Sequence, residues 1–375
     1  MEEVQYLTFD SLKEGVGASQ VLAYMREVAK VRPVQIISFE KIQPSEVEIR
    51  SLVKSGISWT PLPFNEFGIL GGLSRVVRMA LLVDRSKIIH ARSTLPALSG
   101  LLRFSPRLIW DCRSLQADQR RALSGGSYFA PSFLFMRILE GLIARKSKRV
   151  IVITKSVMNI VIKRHKISKS KLVFIPTCVD THRFTYTKSK NQDQIRILLS
   201  GTFSAAYDYR LINKIILNLR KRTTVEVIAA ISPGSTSNWE KIEIDGVTSK
   251  SHLEMPNLIK EFDLGVSLWR NDLGVCLTSV ASTKTAEFLA SGRPVLINSN
   301  QGDLGAIIAK YGIGIVTDGD SELEIESYCD EILRLTRDSK LFERCQKMIN
   351  EEEYSLESGI SKLLSIYREL DFNGN

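Results

Sequence analysis

The chain is poor in features that would set it in a membrane, a secretory pathway or a metal family. Its five cysteines, Cys112, Cys178, Cys276, Cys329 and Cys345, are odd in number and scattered, with no Cys-x-x-Cys pair. Such a set builds neither a disulfide framework nor a zinc site and reads as reduced thiols of a cytoplasmic protein. No apolar run reaches roughly 18 residues, which excludes a spanning helix. Met1 is followed by two acids and a strand-like run, so the basic start and apolar core of a signal peptide are missing. No internal repeat or low-complexity tract appears.

What is present is 375 residues of ordinary globular composition, too long for one core and suited to two domains. The net charge of +10 hides an asymmetry. Residues 1–190 carry 31 Lys and Arg against 14 Asp and Glu, while residues 191–375 carry 20 against 27. A basic half suits nucleic acid, an anionic membrane surface or an anionic substrate. The excess lies between Arg103 and Lys190, where Ser127 to Arg149 mixes aromatic and aliphatic residues with a basic tail. That stretch reads as a buried helix with a solvated basic end or as a helix lying on anionic lipid. Phe64, Phe67, Tyr128 and Phe129 interleave with Arg120 and Arg121, but too few basic residues fall on strands for nucleic-acid stacking, so no nucleic acid is expected.

Short apolar runs alternate with amphipathic ones. Val4 to Phe9, Val34 to Phe39, Ile88 to His90, Leu108 to Trp110, Val150 to Thr154 and Leu172 to Ile175 read as buried strands. Helical patterns at Ser19 to Val28, Leu73 to Val83 and Ser156 to His165 lie between them. The rhythm predicts an α/β protein with a parallel sheet covered on both faces. A polar stretch around 187–194 reads as a linker, after which strands at Ile195 to Ser200, Val225 to Ile231, Leu264 to Leu268, Val295 to Ile297 and Ile313 to Val316 restart the pattern. The expected domains are 1–186 and 195–352, each doubly wound and Rossmann-like, followed by an amphipathic helix over 353–375.

Three places concentrate chemistry. The richest is Ser282-Thr-Lys-Thr-Ala-Glu-Phe-Leu-Ala-Ser-Gly-Arg-Pro-Val, a helix capped by Ser282 or Thr283, ended by Gly292 and Pro294, and feeding a strand. Its start offers unpaired N–H groups at Lys284 and Thr285 to a phosphate, and Glu287, one turn in, suits ribose hydroxyls. The same Lys284 and Glu287 also fit an ordinary surface pair. The second place is Glu14-Gly-Val-Gly-Ala-Ser-Gln after the first strand, where Gly15 and Gly17 fit either a tight turn or an anion loop; Gln20 replaces the third Gly of a dinucleotide fingerprint, and only Glu40 could supply its acid. The third is the pair of strand ends His90-Ala-Arg92 and Asp111-Cys-Arg113. It either lines a ligand crevice or forms a structural ion pair, and His90 itself is a base or a hydrogen-bonded structural residue.

The Lys284 to Val295 run resembles the Lys-x-x-Glu-(Phe/Tyr)-Leu-Ala-x-Gly-x-Pro-Val motif of retaining glycosyltransferases of GT-B fold, the large family that builds bacterial polysaccharides and glycolipids. Val173-Phe-Ile-Pro-Thr-Cys-Val-Asp-Thr-His-Arg-Phe resembles the segment by which such enzymes leave their first domain, with Cys178 where Gly is usual. The resemblance implies two doubly wound domains facing each other across a cleft, with the terminal helix crossing back to the first. It implies transfer of a sugar from a UDP- or GDP-type donor to a glycan or lipid-linked acceptor, without cofactor or metal. Gly15, Gly17, Gly201, Thr202, Lys284, Thr285 and Glu287 would bind the donor, Arg92, Asp111 and Arg113 would line the acceptor side, and Lys284, His90 and Arg113 would act in catalysis. The chain departs from the pattern at Thr202, where relatives carry cations for the donor phosphates, and at Ser279, where a second Glu is usual. The acceptor would reach the basic half at the inner face of the cell membrane. An epimerase of the same fold and a non-catalytic subunit of a transferase complex stand as alternative readings.

Overall fold

Short runs of Val, Ile and Leu that bury nearly every side chain form two parallel sheets, as strands covered on both faces must. The computed structural model describes residues 1–13, 15–64, 68–187, 194–201, 204, 206–231 and 241–372. Thr202 and nearly all of the expected linker therefore lie outside the described residues. The chain divides into two units, Met1–Ile175 with Gly359–Asn375, and Pro176–Ser358.

In the first unit β1 (Val4–Leu7), β2 (Val34–Glu40), β3 (Ile57–Pro63), β4 (Ile88–Arg92), β5 (Leu108–Cys112), β6 (Arg149–Val152) and β7 (Leu172–Phe174) take the order β3-β2-β1-β4-β5-β6-β7, all parallel. The winding reverses between β1 and β4. At such a switch point the loops at the carboxyl ends part and leave a crevice. Trp110, Tyr6, Phe39 and Met25 are fully buried and fill the core. The end of the Leu356–Phe372 helix completes this unit: Tyr367 is buried, its hydroxyl lies 2.6 Å from His90 Nδ1, and Asp371 pairs with Arg32 at 2.5 Å.

The second unit repeats the plan with β8 (Gln194–Ser200), β9 (Thr224–Ile231), β10 (Gly246–Ser249), β11 (Leu264–Ser267), β12 (Val295–Asn298) and β13 (Gly314–Thr317), ordered β10-β9-β8-β11-β12-β13. Its switch point lies between β8 and β11. The segment from Pro176 to Tyr186, drawn with the first domain in the sequence, packs here instead. Val179 N–H donates to Tyr354 O, and the Tyr186 ring stacks on Phe342 at 4.6 Å.

Two strands escaped the sequence reading, and both are sheet edges. β3 contains Pro61 and Pro63, which cannot donate to a ladder and are tolerated where one side is unpaired. β10 is four residues long with side chains no more than half-buried, so it lacks the apolar run that marks the central strands.

Candidate functional site

The site of the second unit is built where β8 and β11 separate. Chain leaving β8 turns at Gly201, whose φ of 90° is left-handed, and returns to pair with chain leaving β11: Asp208 N–H donates to Leu268 O, and Arg270 N–H to Ala206 O. This stitching stacks the Tyr207 ring on Trp269 with centroids 4.8 Å apart. Asn298, at the end of β12, fixes the far side, accepting from Trp269 N–H at 2.7 Å and donating to Trp269 O at 2.8 Å.

Onto this floor comes the helix Thr283–Ala290, seated by Phe288, which packs on β11 at Gly265. Lys284 Nζ donates to Tyr207 Oη at 2.9 Å, and a Cβ placed on Gly201 would lie 2.4 Å from that nitrogen. Gly201 N–H itself donates to Ala230 O, so what this glycine offers is space for the ammonium rather than a donor. Ser282 stands at the N-cap but makes no side-chain capping bond, so its hydroxyl does not occupy the helix start. The buried Thr285 Oγ1 has no hydrogen-bond partner among the described residues. A cation, a helix start and an unsatisfied hydroxyl thus fall within one helical turn, a combination suited to an anion.

One turn further in, Glu287 is 5 % exposed. Burial pushes its carboxyl up to about 7, against the pull of Lys284 and then Arg183. His252 Nδ1 approaches Glu287 Oε1 at 3.9 Å, but burial first and Arg183 second hold the imidazole down at about 4. At neutral pH the two are therefore not an ion pair. Arg183 braces His252, with Nη1 3.2 Å from His252 Nε2 and Nη2 donating to His252 O at 3.1 Å. A carboxylate in this pocket is short of donors and suited to accept from hydroxyls brought by a ligand. Because its folded pKa lies above the ordinary 4.5, Glu287 contributes stability below that value and loses it as pH rises through about 7. Glu287→Gln should match the parent near pH 4.5 and exceed it at pH 8, read as unfolding temperature; equal pH profiles would remove the shift.

The first unit places its candidates at the β1/β4 switch point. Asp111 is fully buried. Burial alone would push its carboxyl up, but Arg113, donating from Nε at 2.8 Å, outweighs it together with His90 and Arg92 and holds it below the usual range. His90 Nε2 lies 3.6 Å from Asp111 Oδ2, an electrostatic contact longer than a hydrogen bond, and burial foremost lowers the imidazole pKa. Its other nitrogen meets Tyr367, and its ring lies 4.5 Å from that of Tyr6, so His90 is enclosed on several sides. Arg92 reaches Asp10 from Nε at 2.7 Å and Gln20 Oε1 from Nη2 at 2.8 Å. Three buried polar atoms, His90 Nε2, Asp111 Oδ1 and Arg92 Nη1, lack hydrogen-bond partners among the described residues.

The glycine loop has a local explanation. A Cβ on Gly17 would fall 1.8 Å from Ser11 O, so only glycine lets the helix start press on the preceding loop. Gly15, with φ 55°, makes the turn into it. Glu40, the acid that a dinucleotide site would need, is fully buried and engaged by that loop: Leu12 N–H and Ser38 Oγ donate to Oε1, and Ser11 Oγ to Oε2. It clamps the loop and is not available to a ribose.

Tyr207, Trp269, Arg183, His252 and Asp10 were missed as site residues in the sequence, since each gains its place from a contact made across many residues. Only Tyr207 had a signal, seven residues from the end of β8. The sequence also contains an Asp-x-Asp triplet, Asp318-Gly319-Asp320, which the metal-free expectation passed over; the exposed Asp320 pairs with Lys214 Nζ at 2.6 Å. Among the described residues no group of three or more His, Cys, Asp or Glu could hold a metal ion.

Residues 17–183 match the family model described as Glycosyltransferase Family 4. No curated protein matches the chain in sequence. Its structure is similar to a glycosyltransferase from Rickettsia africae ESF-5, with 16 % identity, 98 % of each chain covered and a TM-score of 0.68. It is also similar to sucrose-phosphate synthase from Thermosynechococcus elongatus, with 12 % identity, 100 % of both chains covered and a TM-score of 0.69. A third likeness is to Anabaena HepE in complex with UDP and glucose, with 12 % identity, 100 % of this chain and 99 % of that one covered and a TM-score of 0.66. Identities this low carry the fold alone: the chain has the GT-B fold, and the Glycosyltransferase Family 4 model matches the part of it from residue 17 to residue 183.

Proposed function

We propose that the protein transfers a sugar from a nucleoside-diphosphate sugar to a hydroxyl of a glycan or lipid-linked acceptor, with retention, in the building of a bacterial surface polysaccharide or glycolipid. The observation that carries this reading is Lys284 Nζ, held by Tyr207 beside Gly201 at the uncapped start of the Thr283–Ala290 helix. The donor diphosphate would lie on that ammonium and the first-turn N–H groups, with the ribose hydroxyls on Glu287. HepE, solved in complex with UDP and glucose, has the same fold, which supports a nucleotide-sugar donor.

In the reaction the bond from the sugar C1 to the diphosphate oxygen breaks, and the acceptor oxygen bonds to C1 on the same face. The acceptor proton passes to the departing phosphate oxygen. Charge grows on the diphosphate as it leaves, and a fixed cation with oriented N–H groups stabilises that charge more than it stabilises the bound donor. Lys284 takes this role, so no metal is required by the proposal. Arg92 and Arg113 orient an anionic acceptor, and the enclosed His90 positions Asp111, which in turn fixes Arg113. The unpartnered atoms beside Asp111 suit one acceptor hydroxyl or a bound water.

The test is release of free nucleoside diphosphate from UDP- and GDP-sugars, with and without added acceptor. Release that depends on acceptor, persists in EDTA and fails in Glu287→Ala supports the reading. Conversion of the donor sugar without any release would mark an epimerase and overturn it.

A further inference from the structure

The helices of the first unit carry more apolar surface than its core uses. In the helix Gly68–Leu81, Val76, Met79 and Ala80 face inward, yet the opposite side is not polar. Ile69, Leu73, Val77 and Leu81 form an outward stripe at four-residue spacing, and Ile69 is 80 % exposed. The helix Pro131–Lys146 repeats this: Phe133, Met136 and Ile143 are buried, while Leu134, Phe135, Ile138 and Leu142 are exposed. The helix Thr94–Leu102 packs against both, so the stripes belong to one helical layer. Just beyond its end Phe104 is exposed with φ 53°, a conformation that costs a bulky residue energy and that no core contact repays. Ordinary surface helices put charged residues on such positions.

The charge around this face has one sign. From Arg103 to Lys171 the chain carries 16 Lys and Arg against three acids, and those three, Asp111, Asp118 and Glu140, are all buried. What this segment turns outward is therefore positive, with Arg103, Arg120, Arg145, Lys146 and Lys148 exposed. A second copy laid on this face would bring two such sets together, whereas an anionic bilayer accepts both the apolar stripes and the cations. Among the described residues no helix is long and apolar enough to cross a membrane, so the contact is a surface one.

We propose that the Gly68–Leu81 and Pro131–Lys146 helices form a docking face for an anionic lipid surface. Their exposed aliphatic and aromatic side chains enter the interfacial zone, and the flanking arginines and lysines meet lipid phosphates. This deepens the acceptor half of the proposed function, because it places the transferase where a lipid-linked acceptor is found.

The experiment is co-sedimentation of the full chain with vesicles of phosphatidylcholine alone and of phosphatidylcholine mixed with phosphatidylglycerol. The parent should bind the mixed vesicles and not the neutral ones. The double variant Ile69→Glu, Phe135→Glu should lose binding by about tenfold or more at unchanged unfolding temperature, since both side chains are exposed. Arg145→Glu, Lys148→Glu should bind more weakly and with a shallower salt dependence. Absence of binding to anionic vesicles, or equal binding by the Ile69→Glu, Phe135→Glu variant, overturns the proposal. So does a lipid-free dimer that this variant dissociates, which would assign the face to a second copy. Titration of UDP and GDP into the same variant reads the donor site separately, so failure of docking and failure of the transferase reading are told apart.

Discussion

Lys284→Ala should lower the rate of sugar transfer by about a hundredfold to a thousandfold, the range found when one preorganised donor to a developing oxyanion is removed. The reason is local. The ammonium is fixed by Tyr207, whose ring is itself fixed on Trp269, so the cation is in place before charge moves to the leaving diphosphate. In water the same cation would have to reorganise during the reaction and would be worth far less. About tenfold of the loss should appear as weaker nucleotide binding and the rest in kcat, because the helix start and Glu287 still hold part of the donor. Lys284→Arg should recover only part of it, since the planar fork does not fit the space that Gly201 leaves. Folding should hardly change, because Lys284 is half-buried and belongs to no buried ion pair with a carboxylate among the described residues. A variant that kept its rate would show that the departing diphosphate is stabilised elsewhere.

Asp111→Ala should produce the largest loss of stability, about 3 to 5 kcal/mol, the cost of leaving a buried partner charge without its counter-ion. Arg113 would lose the 2.8 Å bond from Nε and the charge that keeps it in the interior. Arg92 would fare better, because Asp10 and Gln20 remain as its partners. The carboxyl's pKa is held below the ordinary value, so the stability it contributes is present at neutral pH, begins to decline as pH falls below the unfolded value of 3.8 and is lost as pH passes the lower folded value. Urea unfolding at pH 7 and at pH 3 checks both the size and the sign: the gap between parent and variant should narrow in acid. A gap that stayed constant would mean that Asp111 acts by packing rather than by charge.

How far the sequence could be read follows from the range of the interactions involved. Central strands such as Ile88 to His90 and Val295 to Ile297 announce themselves because a strand buried on both faces must be apolar at every position. The edge strands did not, for the prolines of β3 and the half-exposed β10 obey the rules of an edge that only the sheet defines. The Thr283–Ala290 helix was legible because its start, its end and the strand after it, Val295–Asn298, are consecutive in sequence. Ser282 or Thr283 was expected to cap it; Ser282 takes the N-cap position but makes no side-chain capping bond. The partners of Lys284 and Glu287 come from Tyr207, Arg183 and His252, up to about a hundred residues away, and no local pattern fixes such a contact. Glu40 shows the converse: its position in sequence suited a ribose, and the buried loop that it clamps explains it instead.

Calorimetric titration of UDP and GDP into the parent, Lys284→Ala and Glu287→Ala tests the central claim most directly. One of the two nucleotides should bind the parent with one site per chain. Affinity should fall by about tenfold or more in each variant, roughly 1.4 kcal/mol or beyond. Binding of equal strength to all three proteins would place the nucleotide away from the Thr283–Ala290 helix and contradict the account.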